Sequence, residues 1–437
     1  MSRGFLLRWL IRHPSVIACT LLGVLLYGGV RLAFLVRSRF FAPAHKAAPF
    51  LPVGEFVPNE VLMAVRPDAR QGVAHAVRTV GAIRAEAVPG TALFRMTLPP
   101  GKSVFQAIAA LQGTPGVEWA EPNYRLRIAR VPDGPRFDEL WAMRNVGRTF
   151  HSPVCGEITG RVGCDIAAHQ AWDHSRGSRK VVVAIVDTGI DTTHPNLKEN
   201  LWVNPGEIPD NGKDDDHNGY VDDVHGYDFV HRKGDPRDDH GHGTHVAGTI
   251  GASGKDGTGV VGVNWEIRLM ALKFLDENGM GTVAGAAEAL AYARRFGVPV
   301  ANNSWGGGAF SRALFEEIKA SRALFVAAAG NAHADTDFVP NFPASMELPN
   351  ILSVAASDPR DDLACFSNWG QQSVDLAAPG VAILSTLPTY PCTLTERGLQ
   401  PTYDYLDGTS MATPHVAGAA AMLFLGLPLL SWYTAAR

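Results

Sequence analysis

The run Gly408-Thr409-Ser410-Met411-Ala412-Thr413-Pro414-His415-Val416-Ala417-Gly418 sets a serine among small residues at the start of an almost wholly apolar stretch. The pattern predicts a buried helix with Ser410 at its N-terminus. The first N–H groups of such a helix lack intrahelical acceptors and the positive end of its dipole faces outward, so an oxyanion formed beside Ser410 would meet ready donors. That is a position suited to a nucleophile. A serine that merely caps a buried helix shares this local pattern, so the reading depends on the rest of the chain. Three further segments bear on it: Val181-Val182-Val183-Ala184-Ile185-Val186-Asp187-Thr188-Gly189, His242-Gly243-Thr244-His245-Val246-Ala247-Gly248 and Ala327-Ala328-Ala329-Gly330-Asn331.

The elements that must position these residues are apolar throughout. Val181 to Val186, Arg268 to Phe274, Val298 to Asn302, Leu324 to Ala328 and Ile351 to Ala355 read as strands, with a helix over Ala284 to Phe296. Strands without a polar face are covered on both sides. The fold class is therefore α/β, a doubly wound, mainly parallel sheet with its ligands at the carboxyl ends of the strands. Asp187 and Asn331 end strands, while His242 and Ser410 begin helices, so all four point at one edge.

Asp, His and Ser in that chain order, each inside its own signature, resemble the subtilisin-like serine proteases (subtilases); the order differs from the chymotrypsin and α/β-hydrolase arrangements. The resemblance runs from about Phe137 almost to the end of the chain. It implies an exported serine endopeptidase acting on polypeptides through an acyl-enzyme. Ser410 would attack the peptide carbonyl, His242 would take the serine proton and pass it to the leaving amine, and Asp187 would fix the imidazole tautomer. Asn331 would donate to the oxyanion beside the backbone N–H of Ser410. Ser304-Trp305-Gly306 resembles the segment that pairs with an extended substrate, with Ala328 and Gly330 in the facing wall. Asn341, in Asn341-Phe342-Pro343-Ala344, would close the far end of the pocket between them. The family usually has a small residue there, so a shallower pocket is set against the expected preference for a large apolar residue before the scissile bond.

Other readings compete at several positions. His240, His242 and His245 with Asp238 and Asp239 suggest a metal cluster, but three histidines at a turn into a helix lack the usual i, i+4 pairing. His245 and His415 read as packed or hydrogen-bonded within their helices. Asp191 rivals Asp187, yet lies past a glycine turn, whereas Asp187 directly ends its strand. Asp214, Asp216, Asn218, the Tyr220 carbonyl and Asp222 space oxygen donors at alternate positions around a glycine, with His225 where a calcium hand has its glutamate. The segment resembles an acidic insertion of some subtilases and implies calcium as cofactor; a solvated acidic loop is the alternative. A rival from another class is a catalytically silent or impaired protein of subtilase fold acting by binding.

With 437 residues, 46% hydrophobic content and a net charge of −4, the chain has room for one large domain and a smaller one, and no basic stripe for nucleic acid. Residues 1–39 carry arginines, no acid and an apolar run from Val16 to Val30, as a signal peptide or, preferred here, a membrane anchor; both put the enzyme outside the cytoplasm. Residues 40–55 read as a linker. Val61 to Val65, Thr91 to Leu98 and the strand beginning at Val117 to Ala120 alternate with helices Val73 to Val80 and Val104 to Leu111. This βαββαβ pattern predicts a ferredoxin-like domain over 56–128, which resembles the inhibitory propeptide of subtilases and implies an intramolecular inhibitor cut off by the enzyme itself between Tyr124 and Phe137. The catalytic domain would occupy 137–437. There Leu425-Gly426-Leu427-Pro428 breaks the last helix, which predicts missing cover on the sheet. Of the five cysteines, Cys155 and Cys164 bracket a short loop and predict a local bridge, with Cys365 and Cys392 unassigned.

Overall fold

The computed structural model describes residues 56–66, 71–124, 136–254, 259–307 and 309–424. The expectations for 1–39, for 40–55, for the processing segment after Tyr124 and for the chain's end beyond 424 lie outside the described residues. Among the described residues no helix is long and apolar enough to cross a membrane. The chain divides into two compact units, one within Phe41–Ala129 and one from Arg130 onward.

The first unit runs β1 (Phe56–Val65), α1 (Gln71–Val80), β2 (Arg84–Ala87), β3 (Leu93–Thr97), α2 (Val104–Leu111) and β4 (Val117–Tyr124). Its strands lie in the order β2-β3-β1-β4, antiparallel throughout, which is the ferredoxin-like arrangement the sequence pattern predicts. Alternate residues Val61, Met63 and Val65 of β1 meet Ala76 and Val80 of α1 and Val104, Ala107 and Leu111 of α2 in one core. Strand β2 has no hydrophobic pattern of its own; Glu86 on it pairs with Arg95 across the ladder.

The second unit opens with the hairpin β5 (Thr149–Ser152) and β6 (Gly156–Thr159), followed by the short helix α3 (Ala168–Ala171). Its sheet contains β7 (Gly177–Asp187), β8 (Gly226–Asp228), β9 (Glu266–Lys273), β10 (Val300–Asn303), β11 (Leu324–Ala328), β12 (Ile351–Ser357) and β13 (Leu376–Pro379) in the order β13-β12-β11-β10-β7-β9-β8. Every pairing is parallel. The helices are α4 (His242–Gly251), α5 (Val283–Arg295), α6 (Arg312–Ala320), α7 (Thr393–Glu396) and α8 (Thr409–Leu423), and β14 (Ile383–Thr386) with β15 (Tyr403–Leu406) forms an antiparallel ribbon. Strand pleating divides the core. Val183 and Ile185 of β7 face a layer holding Val246 and Ile250 of α4 and Met411, Val416 and Ala421 of α8. Ala184 and Val186 face Ala289 and Leu290 of α5 and Leu314 and Ile318 of α6. The two helix-bearing faces explain the apolar strands.

The cysteine pairing differs from expectation. Cys155 bonds Cys365, 210 residues away, and Cys164 is a buried free thiol, as is Cys392. Cys155 lies at the tip of the β5–β6 hairpin, which presents it to the segment after β12, whereas Cys164 turns toward Arg161, whose Nε donates to its sulfur at 2.9 Å. Closing so long a loop constrains the unfolded chain by about 2–5 kcal/mol. Cys155→Ser should therefore lower the unfolding midpoint by several degrees while Cys164→Ser leaves it nearly unchanged, and non-reducing peptide mapping should recover a Cys155–Cys365 peptide. Recovery of a Cys155–Cys164 peptide would overturn this pairing.

Candidate active site

Asp187 is the last residue of β7 and is fully buried. Its Oδ1 accepts from the backbone N of Thr188 at 2.8 Å and stands 2.7 Å from Nδ1 of His242. With Nδ1 donating to the carboxylate, Nε2 is the acceptor on the neutral ring. His242 is the first residue of α4, and the turn that delivers it needs glycine. Gly241 has φ of 109°, and a Cβ on Gly243 would lie 2.2 Å from the Gly189 carbonyl oxygen, so only glycine lets the helix start abut the turn after β7. Burial pushes the His242 imidazole down, but the charge and hydrogen bond of Asp187, helped by Asp238, outweigh it and hold its pKa above the ordinary value. His240, alongside, is pushed down by burial and by His242.

Ser410 lies in the first turn of α8. Its hydroxyl donates to the Ser304 carbonyl at 3.0 Å rather than to His242, and the Ser304 hydroxyl donates back to the Ser410 carbonyl at 2.8 Å. Asn302 on β10 donates to that same Ser304 hydroxyl at 3.0 Å. Asn331, three residues past β11, accepts from the N and Oγ1 of Thr409 at 2.8 and 2.9 Å through its Oδ1, which leaves its Nδ2 to face the Ser410 turn. Gly408 reports the geometry of the space between them: a Cβ there would lie 3.5 Å from Asn331 Nδ2 and 3.5 Å from the Ser410 N–H nitrogen. Both nitrogens therefore lie near one point at the start of α8.

Trp305 packs edge-on against Phe274 with ring centroids 4.9 Å apart, which fixes the Ser304 to Gly306 segment. The Asn341 amide lies close to both segments: its Nδ2 is 3.5 Å from the Ala328 carbonyl, and Cβ atoms built on Gly306 and Gly330 would approach it to 2.7 and 3.1 Å.

The competing residues are otherwise engaged. Asp191 accepts from Thr193 and Thr389. His415 bonds Met411 within its helix, but His245 reaches outside its own, to the carbonyls of Ile383 and Asp404 at 3.0 and 3.1 Å, because α4 packs against the β14–β15 ribbon. Burial drives His245 down to about 3, so it stays neutral. Among the described residues, no metal-binding grouping unites His240, His242 and His245.

The acidic loop brings together a different set from the expected one. Oxygens of Glu207, Asp216 and Asp223 lie within 4.8 Å of one another. Asp214 instead accepts from the backbone of Asn218 and Gly219, and Asp222 from that of Asn211 and Gly212. The Asn218 Nδ2 donates to Asp216 and Asp223, and the Tyr220 ring packs on Tyr227 and Tyr292. Glu207, upstream of the acidic run, and Asp223 carry no spacing signal that marks them. Burial raises the carboxyl pKa values of both, and the neighbouring carboxylates add to it. The Oε2 of Glu207 is buried without a hydrogen-bond partner.

The model of the Subtilase family matches residues 178–437, and that of the Fervidolysin N-terminal prodomain matches 43–123. A thermophilic serine proteinase of Bacillus sp. (strain AK1) is 34% identical over 377 residues, covering 85% of this chain and 79% of the relative. Thermitase of Thermoactinomyces vulgaris is 37% identical over 261 residues, covering 59% of this chain and 79% of the relative. The crystal structure of fervidolysin from Fervidobacterium pennivorans, described as a keratinolytic enzyme related to subtilisin, matches with a TM-score of 0.50 at 27% identity over 87% of this chain and 56% of that one. The chain belongs to the subtilase family of serine proteases and carries a fervidolysin-like prodomain ahead of its protease domain.

Proposed function

We propose that the chain is an endopeptidase in which Ser410 is the nucleophile, His242 the general base and then acid, Asp187 the orienting carboxylate and Asn331 the side-chain donor to the oxyanion. The observation that carries the reading is the 2.7 Å contact of Asp187 with His242, with Asn331 Nδ2 and the Ser410 N both near the Gly408 turn. In the first step the Ser410 hydroxyl leaves the Ser304 carbonyl by a rotation about χ1 and passes its proton to Nε2 of His242 as its oxygen bonds the substrate carbonyl carbon. The carbonyl electrons move onto oxygen, and Asn331 Nδ2 and the Ser410 N–H donate hydrogen bonds to the oxyanion so formed. The imidazolium, stabilised by Asp187, then protonates the leaving amine, and water repeats the sequence to release the acid. The extended substrate pairs with Ser304 to Gly306 on one side and the Ala328 to Gly330 wall on the other. The Asn341 amide favours a small or hydrogen-bonding residue before the scissile bond over a large apolar one. The prodomain acts as the protease's own inhibitor until removed, and export rests on the N-terminal sequence.

The acidic loop supports a calcium site built from Glu207, Asp216 and Asp223. Three carboxylates gathered around an unpartnered buried oxygen repel one another unless a hard cation neutralises them, and calcium prefers such oxygen donors. Calcium there would stabilise the loop and takes no part in bond cleavage.

Three outcomes follow. Ser410→Ala should abolish peptide hydrolysis and, expressed alone, accumulate as an unprocessed precursor; a variant that still matures by itself would sink self-cleavage. Because the base must be neutral and its pKa is raised, kcat/KM should fall on acidification with a midpoint above the ordinary histidine value of about 6.5. A midpoint well below that value would contradict the arrangement. Calcium in hundredfold excess over its Kd should add about 2.7 kcal/mol of stability, seen as a higher Tm, and the gain should grow with pH as the raised carboxyls ionise. Glu207→Gln or Asp216→Ala should blunt that rise, and a wild-type melting curve indifferent to calcium and to chelator refutes the site.

A further inference from the structure

The inference that follows rests on Asp187 and His242 acting as proposed above, and concerns what holds them in place. Asp238 is fully buried and spends both carboxylate oxygens on hydrogen bonds. Its Oδ1 accepts from Thr188 Oγ1 at 2.8 Å, from the His240 N at 3.1 Å and from the Gly241 N at 2.8 Å. Its Oδ2 accepts from the Thr244 N at 2.8 Å and from Thr244 Oγ1 at 2.6 Å. Gly241, the residue before α4, has no side chain to cap the helix, because the turn there requires its positive φ. Asp238 supplies the missing acceptor from three residues upstream.

Thr188 links this cap to the other catalytic residue. It follows Asp187 in the chain, donates its N–H to Asp187 Oδ1 at 2.8 Å, and accepts from the Gly243 N at 2.9 Å through the hydroxyl that it donates to Asp238. Its carbonyl accepts from the buried Lys273 Nζ at 2.9 Å, and Lys273 also bonds Asp239 at 2.7 Å. The end of β7 is therefore tied to the start of α4 by one hydroxyl lying between them, independently of the Asp187–His242 contact.

We infer that Asp238, acting through Thr188, is a positioning residue for the catalytic pair: it sets the offset between strand end and helix start that brings His242 onto Asp187, and its charge supports the imidazolium formed during catalysis. The groups that face His242 agree with this. Asp187 comes from β7, Asp238 and His240 from the preceding turn, and His245 from α4 itself. Arg397, at the end of α7, acts on His240, and the Lys273 charge is matched by Asp239. Besides Asp187, the carboxylate that favours the protonated ring is Asp238. An anion buried this deeply is costly to keep without full hydrogen bonding, and here the donors are those of the His242 turn.

The test uses the full chain, matured where necessary by added wild-type enzyme and assayed on a small peptide substrate. Thr188→Val removes the hydroxyl at nearly constant shape and should lower kcat about 10- to 100-fold with KM within about twofold, the scale of losing a supporting partner to a catalytic group. Thr188→Ser keeps the hydroxyl and should hold kcat within about threefold of wild type. Asp238→Asn keeps the shape without the charge and should move the acid limb of kcat/KM to lower pH as well as lower kcat. Wild-type kcat in Thr188→Val, or an acid limb unmoved in a folded Asp238→Asn, overturns the inference while leaving the triad intact. Should either variant fail to fold, Thr188→Ser still decides, since a loss as large as that expected for Thr188→Val also overturns it. Full activity in Ser410→Ala would instead remove the triad reading itself.

Discussion

A fully buried carboxylate at the end of a strand has to be given donors, and the arrangement around Asp187 follows from that requirement. Its Oδ1 takes both the Thr188 N–H and the His242 ring, while its Oδ2 is buried without a hydrogen-bond partner. The imidazole is held because the anion cannot be left alone, and the anion in turn raises the ring's affinity for a proton against the opposing effect of burial. Orientation and basicity come from one contact, and the glycines at 241 and 243 are what allow the helix to begin close enough to make it.

The parallel sheet converts that local solution into a site. Parallel strands deliver their carboxyl ends to one edge. Asp187 arrives from β7, Ser304 just past β10 and Asn331 just past β11, while α4 and α8, packed in the same core layer, both start there. The reciprocal bonds between Ser304 and Ser410 lock the turn at Ser410 to the adjacent strand end, and Thr409 does the same for Asn331. The Ser410 hydroxyl rests on a backbone carbonyl.

The segment between β7 and β8 shows the opposite use of charge. In the Asp187 region the Asp238 carboxylate is matched on both oxygens by N–H and hydroxyl donors, and Asp239 by the Lys273 ammonium. In the 207–223 segment, burial and neighbouring carboxylates oppose the ionisation of Glu207 and Asp223, which gather with Asp216.

Much of this was legible in the residues themselves. Unbroken apolar strands announced a covered parallel sheet, alternating and helical periods announced the βαββαβ prodomain, and four short signatures at strand ends and helix starts marked Asp187, His242, Ser410 and Asn331 as neighbours, because strand direction alone sends them to one edge. Local pattern could not reveal what depends on distant chain segments meeting. Cys155 looked paired with Cys164 by proximity in sequence, and only the hairpin's placement against the segment after β12 joined it to Cys365. Acidic ligands were sought at alternate loop positions, whereas Glu207 and Asp223 come together with Asp216 through the folding of the loop on itself. Asp238 and Lys273 were a residue of an acidic turn and an unremarkable strand end until the sheet closed around them. Sequence sets which groups lie at the ends of which elements, since hydrophobic period and turn chemistry are local. Which carboxylate receives which donor is decided by tertiary packing, since hydrogen-bond partners many residues apart are chosen by burial.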